Sequence, residues 1–380
     1  MKYRKFGKLD YQISVLGFGC MRLPTRDNKP MSGDIDEKES VRLIRSAIDR
    51  GVNYVDTAYP YHNGNSEIVT GKALGDGYRG KVKLATKSPL WFVTAPNDFD
   101  KFLNEQLKKL QTDHIDFYLL HGLDKKKWEK TVLKFGLLKK AEAAIADGRI
   151  SHLGFSFHDD HKSFQPIVDG YDRWDFCQIQ YNYMDTENQA GTEGLRYAAA
   201  KGLAVIVMEP LLGGRLAAPP QEVMKMFEKY GTKRSPAQWA LQWVWNQPGV
   251  TSLLSGMNSM KQIDENLQTA ELLSIQPLLP EDLKLIERVR ATFLKRAAVP
   301  CTKCGYCLPC PQGVDIPGVL ELYNNGVIYD DMAISRFIYN RFFPENERAN
   351  SCTECGQCEE KCPQGIKPGK LMRTIHEKLK

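Results

Sequence analysis

Eight short β-branched runs recur along the first three hundred residues, and they constrain the fold more than any other feature. They read ISVLGFG, GVNYVDT, KVKLATK, HIDFYLLH, ISHLGFS, FCQIQYN, LAVIVME and VTSLLSG. Between most of them lie amphipathic stretches long enough for a helix, such as KESVRLIRSAIDR and DKFLNEQLKKL. Eight strands alternating with helices over roughly 270 residues is the arithmetic of an α/β (β/α)8 barrel. A doubly wound sheet is the alternative, but its first strand is ordinarily followed by a G-x-G-x-x-G turn. Here that position reads GFGCMRL, which does not match.

A barrel confines its chemistry to the C-terminal ends of its strands. After the second run comes VDTAYPYHNGNSE, with Asp56 and Tyr61; the third ends at Lys87 and the fourth at His121. Taken singly, Tyr61 could be a loop aromatic, Lys87 a surface charge and His121 a satisfied core histidine. At three successive strand ends the four together form a proton donor to a carbonyl. A tyrosine ordinarily holds its proton up to pH ~10. A nearby ammonium favours the phenolate and lowers that value, bringing the phenol towards a working acid. Asp56 would hold Lys87 by a charge-assisted bond, and His121 would orient the carbonyl.

The other end of the chain carries a different chemistry. Of 10 cysteines, eight fall in CTKCGYCLPCP from Cys301 and CTECGQCEEKCP from Cys352, and only Cys20 and Cys177 lie elsewhere. Disulfide frameworks belong to short secreted chains and spread their cysteines to staple distant loops. Structural zinc sites pair two CxxC or CxxH knuckles around one tetrahedron. Here Cys301, Cys304 and Cys307 run at two-residue intervals, as do Cys352, Cys355 and Cys358. Such triplets cap one face of an iron–sulfur cube, and a Cys-Pro fourth ligates the opposite cluster. Cys310-Pro311 and Cys362-Pro363 supply those fourths. The spacing therefore predicts two [4Fe–4S] clusters. The first is held by Cys301, Cys304, Cys307 and Cys362, and the second by Cys310, Cys352, Cys355 and Cys358.

Residues from about 299 onwards thus resemble a dicluster ferredoxin domain. The segment between the runs has apolar residues at three-to-four spacing and reads as helix, which favours a mainly helical ferredoxin-like unit over the compact β-hairpin kind. The expected division is a barrel over 1–295 and the cluster domain over 296–380. The joining segment LKRAAVPC has no Gly/Ser-rich linker, so the two are expected to pack together.

Composition bounds the partners. With 42% hydrophobic and 26% charged residues the chain is an ordinary globular sequence. No run of eighteen apolar residues occurs, and MKYRKFGKLDYQIS lacks the apolar core of a signal peptide. A net charge of +6, with no basic cluster interleaved with aromatics, argues against nucleic acid, and DKKKWEK reads as a solvated helix start. Clusters and free thiols call for a reducing compartment, so a cytoplasmic location is expected, with no membrane contact.

The barrel part also resembles, residue for residue, the aldo–keto reductase family, whose D-T-A-x-x-Y, T-K and strand-ending L-L-H carry its catalytic tetrad. The resemblance covers about residues 1–295, including YRKFGKLDYQIS as a hairpin closing the barrel floor. With the tail, it points to the subgroup bearing a C-terminal iron–sulfur domain. It implies a nicotinamide nucleotide, NADP or NAD, lying across the strand ends. By that resemblance Ser156 and Gln178 fix the carboxamide, and Gly19 and Met21 lie under the nicotinamide ribose. Pro210, Leu211, Gly213, Gly214 and Arg215 form a phosphate loop. Gly256, Gln262 and Asn266 serve the adenosine side, the helix after strand eight being able to receive an anion. Departures accompany the match. Phe157 and His158 follow Ser156 where many members have asparagine, and Met208 stands where a tyrosine often stacks on the ring. Lys261 comes without an arginine to grip a 2′-phosphate.

Two functions remain open on these residues. One is a nicotinamide-dependent carbonyl reductase, or oxidant of the matching alcohol, whose clusters are structural or auxiliary. The other takes single electrons from ferredoxin or another carrier through the clusters to a substrate in the barrel. A pure electron carrier leaves the tetrad unexplained. Trp91, Phe92 and Phe157 suggest an apolar rim for a small-molecule carbonyl or alcohol substrate, although core positions would explain them equally.

Overall fold

The computed structural model describes residues 1–273 and 278–380. Its first ten strands-worth of chain begins with an antiparallel hairpin, β1 (Tyr3–Lys5) and β2 (Gln12–Ser14), in which Tyr3 faces Ser14. The barrel follows: β3 (Leu16–Gly19), β4 (Tyr54–Asp56), β5 (Lys83–Ser88), β6 (Ile115–Leu123), β7 (Ile150–Phe157), β8 (Phe176–Gln180), β9 (Ala204–Met208) and β10 (Val250–Ser255). All pair in parallel, and β10 closes on β3 through Leu253 opposite Leu16. These are the eight β-branched runs of the sequence, one strand to each.

Parallel strands covered by helices outside and filled by side chains inside are apolar on both faces, which is why the runs do not alternate. Every residue of β6 is buried. The helices outside are amphipathic for the complementary reason. In Glu37–Asp49, Leu43, Ile44, Ala47 and Ile48 turn inward, while the Asp36 carboxylate caps the start by accepting the Glu39 N–H at 3.1 Å.

The N-terminal half of the barrel is packed with rings. Phe6 from the hairpin stacks on Phe117 of β6 at 4.5 Å between centroids, and Phe117 meets Phe176 of β8 at 5.1 Å. Tyr54 enters the same layer because Gly17 has no side chain: a Cβ there would lie 2.6 Å from the Tyr54 ring. The hairpin thus plugs one end. Polar residues are left to the other end, where the strands finish.

By contact the chain forms two compact units, Met1–Gly213 with Ala237–Leu279, and Gly214–Pro236 with Pro280–Lys380. In the second, the helices Ile316–Ile328, Met332–Arg341 and Pro368–Leu379 enclose a small core that includes Val319, Leu320, Tyr339, Met372 and Ile375. Each cysteine run is anchored to it by one buried side chain. Asn324 donates to the Val299 carbonyl at 2.7 Å and accepts the Val299 N–H at 2.9 Å, two residues before Cys301. The Tyr339 hydroxyl accepts the Ala349 N–H at 2.9 Å, three residues before Cys352. Among the described residues no helix is long and apolar enough to cross a membrane.

Candidate active site and cysteine pockets

The four tetrad candidates come together where β4, β5 and β6 end. Asp56 closes β4, Lys87 lies near the end of β5, and His121 is in β6. Register makes this unavoidable, since Asp56 pairs with Ala85 and Lys87 with Leu119. The Lys87 ammonium donates to Asp56 Oδ1 at 2.6 Å and to the Thr57 carbonyl at 2.7 Å, with 1% of the residue exposed. It also lies 5.0 Å from the centre of the Tyr61 ring. Tyr61 is half-buried, on the turn after β4, and His121 meets its ring edge-on at 6.0 Å.

Burial sets the protonation states as much as the neighbours do. It works against the Lys87 ammonium, yet Asp56 and the Tyr61 phenol outweigh it, so the pKa lies above the usual 10.5. For Tyr61 the sign differs from the sequence expectation. Burial raises the phenol, and although Lys87 pulls it down as anticipated, Asp56 and Glu209 add to the upward push; the net value stays above 10.0. The phenol therefore holds its proton at neutral pH. His121 is driven well below 6.5 by burial and then by Lys87, leaving a neutral imidazole whose Nδ1 finds no hydrogen-bond partner among the described residues. A neutral donor beside a fixed ammonium can protonate an oxygen that is gaining charge.

Gln178 on β8 completes the charge cage in a way its sequence position did not disclose. Its Nε2 donates to Asp56 Oδ2 at 2.6 Å and to the Tyr54 hydroxyl at 3.1 Å, while its buried Oε1 finds no partner among the described residues. Ser156 at the end of β7 accepts the Gly122 N–H at 2.8 Å, which leaves its own proton to donate. Gln262 and Asn266 are committed locally. Gln262 Oε1 accepts the Asn258 N–H at 2.8 Å and Asn266 donates to Ser255 Oγ at 2.9 Å, so both brace the loop after β10. Gly19 ends β3, Met21 follows it, and Met208 ends β9, ahead of Pro210 and Leu211.

An ion pair absent from the sequence reading lies across these loops. Arg22 Nη2 is 3.7 Å from Glu209, a residue held at φ 53°. A Cβ at Gly256 would meet the Arg22 stem at 3.0 Å, and one at Gly213 its guanidinium at 3.0 Å, so both glycines make room for this side chain. The only available signal was that Arg22 and Glu209 each follow a strand closely. Arg215 goes elsewhere: buried in the second unit, it donates to Ser335 Oγ at 3.2 Å and lies 3.5 Å from Asp331. Gly214 belongs to that unit too. Of the three suggested rim aromatics, Trp91 (43% exposed) and Phe92 (50%) stand out from the turn after β5, with Trp91 4.8 Å from His121. Phe157 is instead core, packed on Phe164 at 4.9 Å.

The cysteines ring two pockets in the second unit. One is lined by Cys301, Cys304, Cys307 and Cys362; the other by Cys310, Cys352, Cys355 and Cys358, with Cys307 reaching it as well. Burial, with the neighbouring thiols Cys301, Cys304 and Cys358, pushes the Cys307 thiol up. Cys304 and Cys355 are exposed, and the other six partly so.

Known proteins agree with both halves. The aldo/keto reductase family model matches residues 15–290, and a 4Fe-4S dicluster domain matches 300–366. An uncharacterized oxidoreductase of Bacillus subtilis, YqkF, is 28% identical over 76% of this chain and 96% of its own. Probable aldo-keto reductase 1 of Glycine max is 25% identical over 69% and 82%. Among solved structures, the holo form of aldo-keto reductase AKR11C1 from Bacillus halodurans matches with a TM-score of 0.61. It is 25% identical, over 76% of this chain and 96% of that one. The protein is accordingly an oxidoreductase belonging to the aldo/keto reductase family, with a 4Fe-4S dicluster domain at its C-terminal end.

Proposed function

We propose that the barrel reduces a small-molecule carbonyl, or oxidises the matching alcohol, with a nicotinamide cofactor (NADP or NAD) and Tyr61 as general acid/base. We further propose that the tail carries two [4Fe–4S] clusters. The observation that carries the first reading is the buried Asp56–Lys87 pair with the Tyr61 ring 5.0 Å from the ammonium and His121 edge-on to it. Nicotinamide supplies a two-electron hydride when bound, and a [4Fe–4S] centre single electrons.

The residues fit both groups. A carboxamide would satisfy the buried Gln178 Oε1, unpartnered among the described residues, with its amino group and accept the spare proton of Ser156. Cys301, Cys304, Cys307 and Cys362 would hold one cluster, and Cys310, Cys352, Cys355 and Cys358 the other, following the pocket linings. Tyr61 gives its proton to the carbonyl oxygen, Lys87 steadies the phenolate left behind, and Asp56 keeps Lys87 charged and in place. His121 offers a neutral N–H to orient the same oxygen.

Titration of anaerobically purified protein with NADH and NADPH, followed by fluorescence, tests this reading. One nucleotide should bind, and Gln178→Ala should weaken it about tenfold, the cost of one well-placed buried hydrogen bond. Failure of both nucleotides to bind would overturn it.

A second reading has ferredoxin or another carrier feeding electrons through the tail. It is favoured by the exposure of Cys304 and Cys355 and, in the first run, of Tyr306 (66% exposed) and Leu308 (41%). Reduction driven by a reduced carrier with no nucleotide present would support it.

A further inference from the structure

The turn that carries Tyr61 adopts a conformation that L-residues avoid. His62 (φ 53°, ψ 45°) and Asn63 (φ 55°, ψ 32°) both lie in the left-handed region, followed by Gly64 at φ 89°. Glycine enters that region freely and asparagine fairly readily, whereas other side chains pay roughly 1–2 kcal/mol. Such strain lasts only where the surroundings over-determine it.

Here three side chains stitch the turn to the loop after β3. The His62 imidazole is fully buried, with Nδ1 2.7 Å from the Ser32 carbonyl. A carbonyl only accepts, so Nδ1 carries the proton and donates it. Asn65 donates to the Gly33 carbonyl at 2.9 Å, and Ser66 to the Cys20 carbonyl at 2.9 Å. Burial lowers the His62 pKa, so the ring is neutral and its single N–H is the one spent on Ser32. Its Nε2 is buried beside the Met21 backbone. The loop so clasped leaves β3 at Gly19 and includes Met21, and the clasp closes one residue beyond the phenol.

We propose that His62 is a positioning residue for Tyr61: its hydrogen bond to Ser32 pins the loop after β3 onto the left-handed turn and thereby fixes the phenol beside Lys87. The proposal rests on Tyr61 being the acid. A histidine that merely filled space would be an odd choice here, because glycine removes the backbone strain and leucine fills the volume. What neither provides is the donor.

Three variants separate these roles. In His62→Asn the amide nitrogen stands on the same Cβ–Cγ stem as Nδ1, and asparagine tolerates the left-handed region. His62→Gly relieves the strain and deletes the donor; His62→Leu keeps the bulk and deletes the donor. Each is measured for kcat and for the KM of nucleotide, and for amide hydrogen exchange over residues 24–36 and 58–66 of the full-length protein without substrate. His62→Gly and His62→Leu should lose at least about tenfold in kcat, since a misplacement of about 1 Å can cost ~100-fold. Their nucleotide KM should stay within about threefold, marking a loss confined to the transition state. Both segments should exchange faster in these two variants and at the native rate in His62→Asn, which should also keep kcat within about threefold.

Native kcat and native exchange in His62→Gly would overturn the proposal, as would a His62→Asn variant as impaired as the glycine one. Tyr61→Phe is run alongside. If it keeps full turnover, the acid reading fails by itself, whereas a clasp that fails leaves exchange unchanged in all three His62 variants.

Discussion

The strand-end site and the cysteine pockets solve opposite problems with polar groups. At the strand ends every charge is answered by the fold: Lys87 by Asp56 and the Thr57 carbonyl, Asp56 also by Gln178. In the tail eight thiols converge on two pockets, and six of them pack against the small apolar core beneath. A site that satisfies its own charges is ready before anything binds. A site built of converging thiols is completed by what it holds, so its folding and its occupancy are one equilibrium. The barrel should therefore outlast the loss of its ligand, and the tail should not.

Removing the metal is the harshest test of that contrast. Protein purified without air should contain about eight irons, the content of two cubes. Chelation should abolish an unfolding transition belonging to the helices between 316 and 379 while the barrel transition persists in the same circular-dichroism melt. Cys355→Ala should lose about four irons first and then loosen the remainder, because the Cys-Pro fourths tie each run to the other. Stoichiometric zinc, or an iron-free protein that melts like the native one, would dissolve the comparison.

The barrel side is tested by breaking a charge pair that the fold has buried. Lys87→Met leaves Asp56 with Gln178 as its remaining side-chain donor, and stranding one member of a buried pair costs about 3–5 kcal/mol. Urea unfolding of the barrel transition should register that loss, along with a collapse of turnover. A variant of native stability would mean that Asp56 is far better solvated than its 2% exposure implies. Tyr61→Phe is the milder change. It should leave stability and nucleotide binding intact yet cut carbonyl reduction at least ~100-fold, the lower end of what a positioned acid contributes. Intact turnover would require another donor to the carbonyl.

How much of this could be read from the residues divides along the same line. The eight strands were legible because strand burial on both faces writes itself as continuous β-branched runs, and the tetrad because strand ends are fixed by those runs. The cysteine ligand sets were legible as spacing alone. Contacts between side chains far apart in sequence were not. Gln178 reaches Asp56 across 122 residues, and Arg22 meets Glu209 only because the barrel closes. Nor could local pattern reveal that Arg215 is spent on Ser335 and Asp331, or that Phe157 turns outward to Phe164. The direction of the Tyr61 shift was missed for a quantitative reason. An adjacent ammonium is visible in a motif, whereas the burial that outweighs it belongs to the folded barrel.

That direction leads to the smallest expected effect, and the one that distinguishes the two sites by pH alone. Tyr61 keeps its proton beyond 10.0, so the rate of carbonyl reduction should be level through neutral pH and fall only as the medium climbs past that value. Lys87, raised above 10.5, contributes stability that is complete below 10.5 and lost as pH rises through its folded value. His121 runs the other way. The fold keeps it neutral well below 6.5, whereas in the unfolded chain it takes a proton near its ordinary value. Between those two values the unfolded state binds more protons, so barrel stability should drop as pH falls below 6.5, by at most ~1.4 kcal/mol per unit for one group. Urea unfolding at about pH 7.5, 6.0 and 5.0 measures the slope, and His121→Asn should flatten part of it. Equal slopes in the two proteins would show that His121 titrates in the native barrel as it does in water, and the neutral orienting role assigned to it would fall.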